Sequence, residues 1–337
     1  MSHSTHPYQK ELKVATLAVK CASLLTKQLS DSIVQTAKSG TLTKDDKSPV
    51  TIGDFASQAI INHAIKLNFP NDEIVGEEDS QELQENSNLA DQVLQLITKI
   101  QQETAVYNDT LGTLTLTDKN EVYHSLDFGN SQGGLKGRFW ALDPIDEFQT
   151  YWKTSCRYEH SGVVGGLYSA VKGVGSFYSE LFKKGAEPLS QQKPIKSQNH
   201  TDPNQLKVVE GVEKGHSSHS TQAEIKAKLG FDPTTVAEQT INRLPVSDTY
   251  REKIWDHAAG NILIYESGGQ VGDVTGAPLN FGNGRTLDSK GVIAANKEIF
   301  DKVIHAVTEV RKSSTPRNIS SEKITSIEIP KHGKTLN

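Results

Sequence analysis

A short apolar run that ends in two closely spaced carboxylates constrains this chain more than any other feature. Residues 139–142, Phe-Trp-Ala-Leu, are followed directly by Asp143-Pro144-Ile145-Asp146. An apolar run of this length predicts a buried strand, and the proline predicts a tight turn at its end. The strand would therefore deliver Asp143 and Asp146 together onto one edge of a sheet.

Helical and strand patterns surround this run. Apolar residues at three- and four-residue spacing from Leu12 to Leu29 predict a long first helix. A second helix is expected from about Asp54 to Leu67, with Asp54 at its N-cap. Residues 81–127 look like a polar, mobile surface excursion around one helix. The remaining expectations are a hairpin at 163–181, a strand at 206–212, and helices at 89–100, at 221–229, from Trp255 onward and at 299–310.

This order of elements predicts two units. Residues 1–183 would form an α+β domain, and 184–205 a polar connection. Residues 206–312 would form an α/β domain, and 313–337 a loose tail.

Composition excludes several function classes. The chain has 337 residues, 35% apolar and 23% charged, with a formal net charge of −5. Because no basic stripe occurs, a nucleic-acid polymer is a poor partner. Two cysteines, Cys21 and Cys156, indicate a reducing compartment, so cytosol is the expectation. No apolar stretch is long enough to span a membrane. A monomer is the expected oligomeric state.

Dispersed carboxylates at the ends of elements predict a cation site. Glu77, Asp143, Asp146 and Asp256, with the carbonyl of Ile145, offer the oxygen ligands that Mg²⁺ prefers. Two or more ions would suit phosphate hydrolysis, and Asp54 would then orient or deprotonate the attacking water.

Each of these residues also has an ordinary structural explanation. Asp54 alone is typical of a helix N-cap, and Asp256 of a first helical turn. Glu77 alone fits a solvated acidic turn, whereas Asp143 and Asp146 alone fit a turn. The order in which the segments occur favours the functional interpretation.

Five segments occur in the order found in the inositol monophosphatase superfamily. They are SPVTIGD at 48–54, VGEE at 75–78, WALDPID at 140–146, WDHAAG at 255–260 and ESGG at 266–269. Three more segments resemble the fungal bisphosphate nucleotidase branch of that superfamily, and together the matches span about residues 8–312. They are GVEKGHSSH at 211–219, RLP at 243–245 and FGNGRTL at 281–287.

The resemblance implies a layered αβ sandwich of the carbohydrate phosphatase type. It implies hydrolysis of the 3'-phosphate of adenosine 3',5'-bisphosphate, and of its sulfated analogue, in connection with sulfate assimilation. It also implies inhibition by lithium and sodium. The residue matching Asp54 would activate water. Magnesium would be bound by Glu77, Asp143, Ile145, Asp146 and Asp256, and the nucleotide contacted by His216, Arg243 and Asp256.

The chain departs from this pattern directly after Asp146. Glu147 and Phe148 stand where the family has Gly-Thr, and the threonine hydroxyl normally helps prepare the water. Residues 147–162 replace apolar strands, so strands of the first domain's sheet are expected to be missing. Residues 231–242 lack a Ser-x-x-Lys nucleotide contact. Three interpretations stay open: a working nucleotidase, a metal-binding pseudoenzyme, and a defective product.

Overall fold

The computed structural model describes residues 6–39, 49–145, 165–182, 192–206, 209–210, 219–231, 237–242 and 251–314. Only residues 313 and 314 of the expected tail at 313–337 lie within these ranges. The replaced segment 147–162 lies entirely outside them. The expected domain boundaries remain predictions.

Helices dominate the first part of the chain, and short strands are distributed along all of it. The helices are α1 (Gln9–Ser39), α2 (Pro49–Asn68), α3 (Gln81–Glu85), α4 (Ser87–Glu103), α5 (Asn108–Leu111), α6 (Lys119–Asp127), α7 (His219–Lys228), α8 (Ile254–Ser267) and α9 (Phe300–Ser314), with 3₁₀ turns at Ala105–Tyr107 and Pro203–Gln205. The strands are β1 (Glu73–Gly76), β2 (Phe139–Leu142), β3 (Gly166–Val171), β4 (Gly175–Glu180), β5 (Lys193–Ile195), β6 (Val209–Glu210), β7 (Ala237–Asn242), β8 (Gly269–Gly272) and β9 (Ile293–Asn296).

The strands pair in four small groups within the described residues. β1 and β2 run parallel, as do β6 and β7, whereas β8 and β9 are antiparallel. The expected hairpin is confirmed as the antiparallel pair β3–β4, and β5 adds to it as a third strand. The stretch expected to be only a connection, 184–205, therefore contributes a strand to this sheet.

The largest core lies between the first helices. α1 packs along α2, and α2 in turn packs against α4 and α6. Phe55, Ile60 and Ala64 of α2 are buried there with Leu25 of α1. The long first helix predicted from its apolar spacing is confirmed.

The prediction of a surface excursion at 81–127 is wrong. Four helices form in this stretch, and Leu89, Val93, Ile97 and Ile100 of α4 are buried in the same core as α1 and α2. These positions recur at four-, four- and three-residue spacing, so α4 places one apolar stripe inward although its other faces are polar.

α8 is supported by the β3–β4 hairpin. The hydroxyl of Ser176 donates to the carbonyl of Leu263, and the amide of Gly173 donates to the carboxylate of Glu266 at 2.9 Å. α8 ends as predicted at Gly268, whose φ of 97° places it in the left-handed region that glycine tolerates. None of the described helices combines the length and apolar character needed to cross a membrane.

Candidate active site

The parallel register of β1 and β2 places two predicted ligands at one edge. Gly76 pairs with Leu142 at the last position of the ladder. Glu77 and Asp143 are the next residues of their strands, so they leave the same edge of the sheet side by side. The predicted strand at 139–142 is confirmed with these bounds.

Asp54 faces this edge from α2. The helix begins at Pro49, a proline in the first turn, so Asp54 lies in its second turn and the expected N-cap position is wrong. Its carboxylate is therefore not engaged in capping. The Oδ1 atom is buried and has no hydrogen-bond partner among the described residues. Burial, followed by the negative charges of Glu78 and Glu77, raises the pKa of Asp54 to about 8.

Gln58, one helical turn after Asp54, fixes the acidic turn against α2. The Glu78 amide donates to Oε1 of Gln58 at 3.0 Å, and Nε2 of Gln58 donates back to the Glu78 carbonyl. Gly76 permits this approach, since a Cβ there would lie 2.8 Å from the Gln58 amide group. Burial raises the pKa of Glu78 to about 7, with further contributions from the acidic side chains around it, Glu77 first.

Ile145 closes the arrangement from the other strand. Its Cδ1 atom lies 2.8 Å from where a Cβ on Gly53 would stand. A side chain at residue 53 would have to displace the tip of the Ile145 side chain. The turn that carries Asp143 and the Ile145 carbonyl is thus packed against the helix that carries Asp54.

Asp256 lies in the first turn of α8, as predicted. Trp255 beside it is buried in a cluster with Val75 of β1, and Phe139 of β2 packs against that cluster. The start of α8 is therefore tied to the strands that present Glu77 and Asp143. Carboxylate oxygens of Asp256 and Glu252 lie within 4.8 Å of a ring nitrogen of His257 and of each other.

Three other predicted residues, Asp146, His216 and Arg243, lie outside the described residues. The structure brings Asp54, Glu77, Asp143 and Ile145 together at one edge, and it adds residues that the sequence reasoning missed. They are Gln58, Glu78, Glu252, His257 and Arg285. Gln58 carries a detectable signal, its four-residue spacing from Asp54, and His257 directly follows Asp256. Arg285 stands in the FGNGRTL segment, but nothing local indicates its contacts.

Comparison with known proteins identifies the family. The model of the inositol monophosphatase family matches residues 8–147 and 160–312, so the match is interrupted at 148–159. The protein named 3'(2'),5'-bisphosphate nucleotidase 1 from Candida albicans (strain WO-1) is 76% identical over 365 aligned positions, covering 94% of this chain and 100% of the relative. The 3'(2'),5'-bisphosphate nucleotidase of Emericella nidulans is 38% identical, covering 90% and 99%.

The first alignment is longer than this chain, so it contains positions at which the relative has a residue and this chain has none. Among solved structures, the inositol monophosphatase from Anabaena (Nostoc) sp. PCC 7120 is similar at a TM-score of 0.43 and 20% identity, covering 90% of this chain and 97% of that one. The matched segments include Asp54, Glu77, Asp143 and Asp256, and with matches of this extent the chain belongs to the inositol monophosphatase family.

Proposed function

We propose that the protein descends from, and acts as, a magnesium-dependent phosphatase that removes the 3'-phosphate of adenosine 3',5'-bisphosphate. The products would be AMP and phosphate, and the sulfated nucleotide would be a second substrate. The observation that carries this proposal is the convergence of Asp54, Glu77 and Asp143 at the β1–β2 edge. The names of the relatives supply the substrate class.

The donor set fits a hard divalent cation. Asp54, Glu77 and Asp143 offer carboxylate oxygens at this edge. Burial first, and then the surrounding negative charge, raises the pKa values of Asp54 and Glu78, and a cation would relieve the second cause. Glu77, Asp143, Asp146, Asp256 and the Ile145 carbonyl would hold Mg²⁺. Bound Mg²⁺ would supply a more acidic water and neutralise charge on the phosphate.

Asp54 would act on the attacking water. Its buried Oδ1 atom has no hydrogen-bond partner in the described surroundings. Bound Mg²⁺ would favour the ionised form of Asp54, which could then accept a proton from water. The water oxygen would form a bond to phosphorus as Asp54 takes its proton. The bond from phosphorus to the ribose 3'-oxygen would break, and solvent would protonate that oxygen.

Phe148 weakens this chemistry. Phenylalanine offers no hydroxyl to pair with Asp54, and losing a proton-transfer partner typically costs about 10²- to 10⁴-fold in rate. Glu147 adds a negative charge beside an anionic substrate. The interruption of the family match at 148–159 therefore favours a second candidate: a metal-binding pseudoenzyme or defective product that binds Mg²⁺ or a partner without turnover.

The test is phosphate release from adenosine 3',5'-bisphosphate with Mg²⁺, repeated with lithium. The double variant Glu147→Gly, Phe148→Thr is the matched comparison. Release by the parent protein that lithium blocks would support the nucleotidase, whereas release by the double variant alone would support the impaired form. If both proteins are folded and neither releases phosphate, Glu147 and Phe148 are not the sole cause of the missing activity. Lithium and sodium sensitivity, a role in sulfate assimilation and a cytosolic location belong to the first proposal.

A further inference from the structure

Arg285 donates to three backbone carbonyls, one at the end of β1 and two in the segment 129–131 beside it. Its Nη1 atom donates to the carbonyls of Gly129 at 2.9 Å and Ser131 at 3.1 Å. Its Nη2 atom donates to the carbonyl of Gly76, the residue before Glu77. Arg285 therefore holds the backbone from which a predicted ligand projects.

The same residue also holds the start of α8. Its guanidinium carbon lies 4.8 Å from the ring centre of Trp255, the residue before Asp256. Its carbonyl accepts a hydrogen bond from the Ile254 amide at 3.2 Å. Two residues later, the Leu287 amide donates to the Glu252 carbonyl at 2.8 Å, so the two segments pair as a short antiparallel bridge.

We propose that Arg285 is a positioning residue that sets the separation of Glu77 from Asp256, and thereby the cation site. The two carboxylates are far apart in sequence and lie on different elements, and Arg285 contacts the residue preceding each. This inference rests on the proposed function, because it assumes that Glu77 and Asp256 bind cations of the same site.

Substrate binding is not assigned to Arg285, since its guanidinium is engaged with backbone carbonyls and covered by Trp255. A lysine could not replace it. The planar fork of arginine reaches several carbonyls at once and stacks on a ring, whereas an ammonium group acts as a single point of charge. Hydrogen bonds from a charged donor are about twice as strong as neutral ones, so their loss should be measurable in cation affinity.

The experiment measures Mn²⁺ binding by titration calorimetry and by electron paramagnetic resonance, which do not depend on turnover. Arg285→Ala should weaken Mn²⁺ binding about tenfold or more, and Arg285→Lys should recover little of it. Millimolar guanidinium should restore part of the affinity in Arg285→Ala. Phosphate release, where the parent protein shows it, should need correspondingly more Mg²⁺.

Arg138 provides the matched control. It pairs with Asp72 and Glu11 before the start of β2, at the end of the strand away from Asp143. Arg138→Ala should lower the melting temperature and leave Mn²⁺ affinity within about twofold, since it changes no contact at the ligand edge.

Unchanged Mn²⁺ affinity in folded Arg285→Ala overturns the proposal, as does parent protein that binds no Mn²⁺. Where Arg285→Ala does not fold, Arg285→Lys carries the same comparison. Parent protein that binds Mn²⁺ without releasing phosphate refutes the proposed function, and the comparison of Arg285 variants still decides the present inference.

Discussion

Asp54→Asn should stabilise the metal-free protein, and the gain should grow with pH. Asp54 is placed inside α2, facing Glu77 and Glu78, with a buried Oδ1 atom that has no hydrogen-bond partner in the described part of the chain. Burial and these like charges raise its pKa from 3.8 to about 8. Asparagine keeps the shape of the side chain and removes the charge.

The sign and size follow from proton linkage. Between about pH 4 and pH 8 the folded chain keeps a proton on Asp54 that the unfolded chain has released, so the folded state loses stability as the pH rises. This loss of stability is absent below the ordinary pKa of 3.8 and complete above the folded-state pKa of about 8. The full shift corresponds to about 6 kcal/mol, but Asp54 is partly exposed and water screens it, so we expect about 1–3 kcal/mol.

The assay is urea unfolding of both proteins in a chelator, at intervals from pH 5 to pH 8.5. The free energy of unfolding of Asp54→Asn should exceed that of the parent by an amount that rises steadily across this range. Saturating Mg²⁺ should reduce this difference, because it neutralises the neighbouring carboxylates. Asp91→Asn, at a surface aspartate paired with Lys119, is the control and should show no such trend. A gain that is constant with pH, or a loss at high pH, would refute the placement of Asp54 in a crowded acidic cluster.

Three further predictions test other parts of the fold. Gln58→Leu should lower the free energy of unfolding in urea by about 2–4 kcal/mol, because it leaves the Glu78 amide and carbonyl unpaired. An unchanged midpoint would contradict the two hydrogen bonds between Gln58 and Glu78. Ile97→Ala should lower the free energy of unfolding by about 2–5 kcal/mol, because Ile97 of α4 is buried in the core. A loss below about 1 kcal/mol would indicate a surface helix instead. In Cys156→Ser, Cys21 should react with a disulfide reagent at pH 8 only after unfolding, because burial raises its pKa to about 11, and rapid native labelling would exclude this.

The sequence allowed prediction of the site wherever a motif coincided with the end of an element. The apolar run 139–142 predicted β2, and the proline after Asp143 predicted the turn, so the edge that holds this carboxylate could be located. Gly268 predicted the stop of α8 and Asp256 its first turn. These features depend on local backbone chemistry, which the sequence carries directly.

The sequence did not allow prediction of features that depend on distant contacts. β1 is only four residues long and begins with a glutamate, so its alternation is too short to indicate a strand. The stretch 81–127 resembles a surface segment in sequence because its many polar residues surround the single buried apolar stripe of α4. The approach of Gln58 to Gly76, and of Arg285 to the same backbone, joins segments that no local pattern connects.

The exposure of β2 and α8 bears on the proposal that the sequence after Asp146 impairs this protein. In the described residues β2 pairs with β1 alone, and all four of its residues are only half-buried although they are apolar. Ile262, Leu263 and Ile264 of α8 are also half-buried. A strand that is buried on both faces normally has a pairing neighbour on each side, whereas the described residues supply β2 with one. The family match is interrupted between residues 147 and 160, shortly after β2. Under the proposed function, the double variant Glu147→Gly, Phe148→Thr should raise phosphate release and leave the side chains of β2 and α8 as exposed as before.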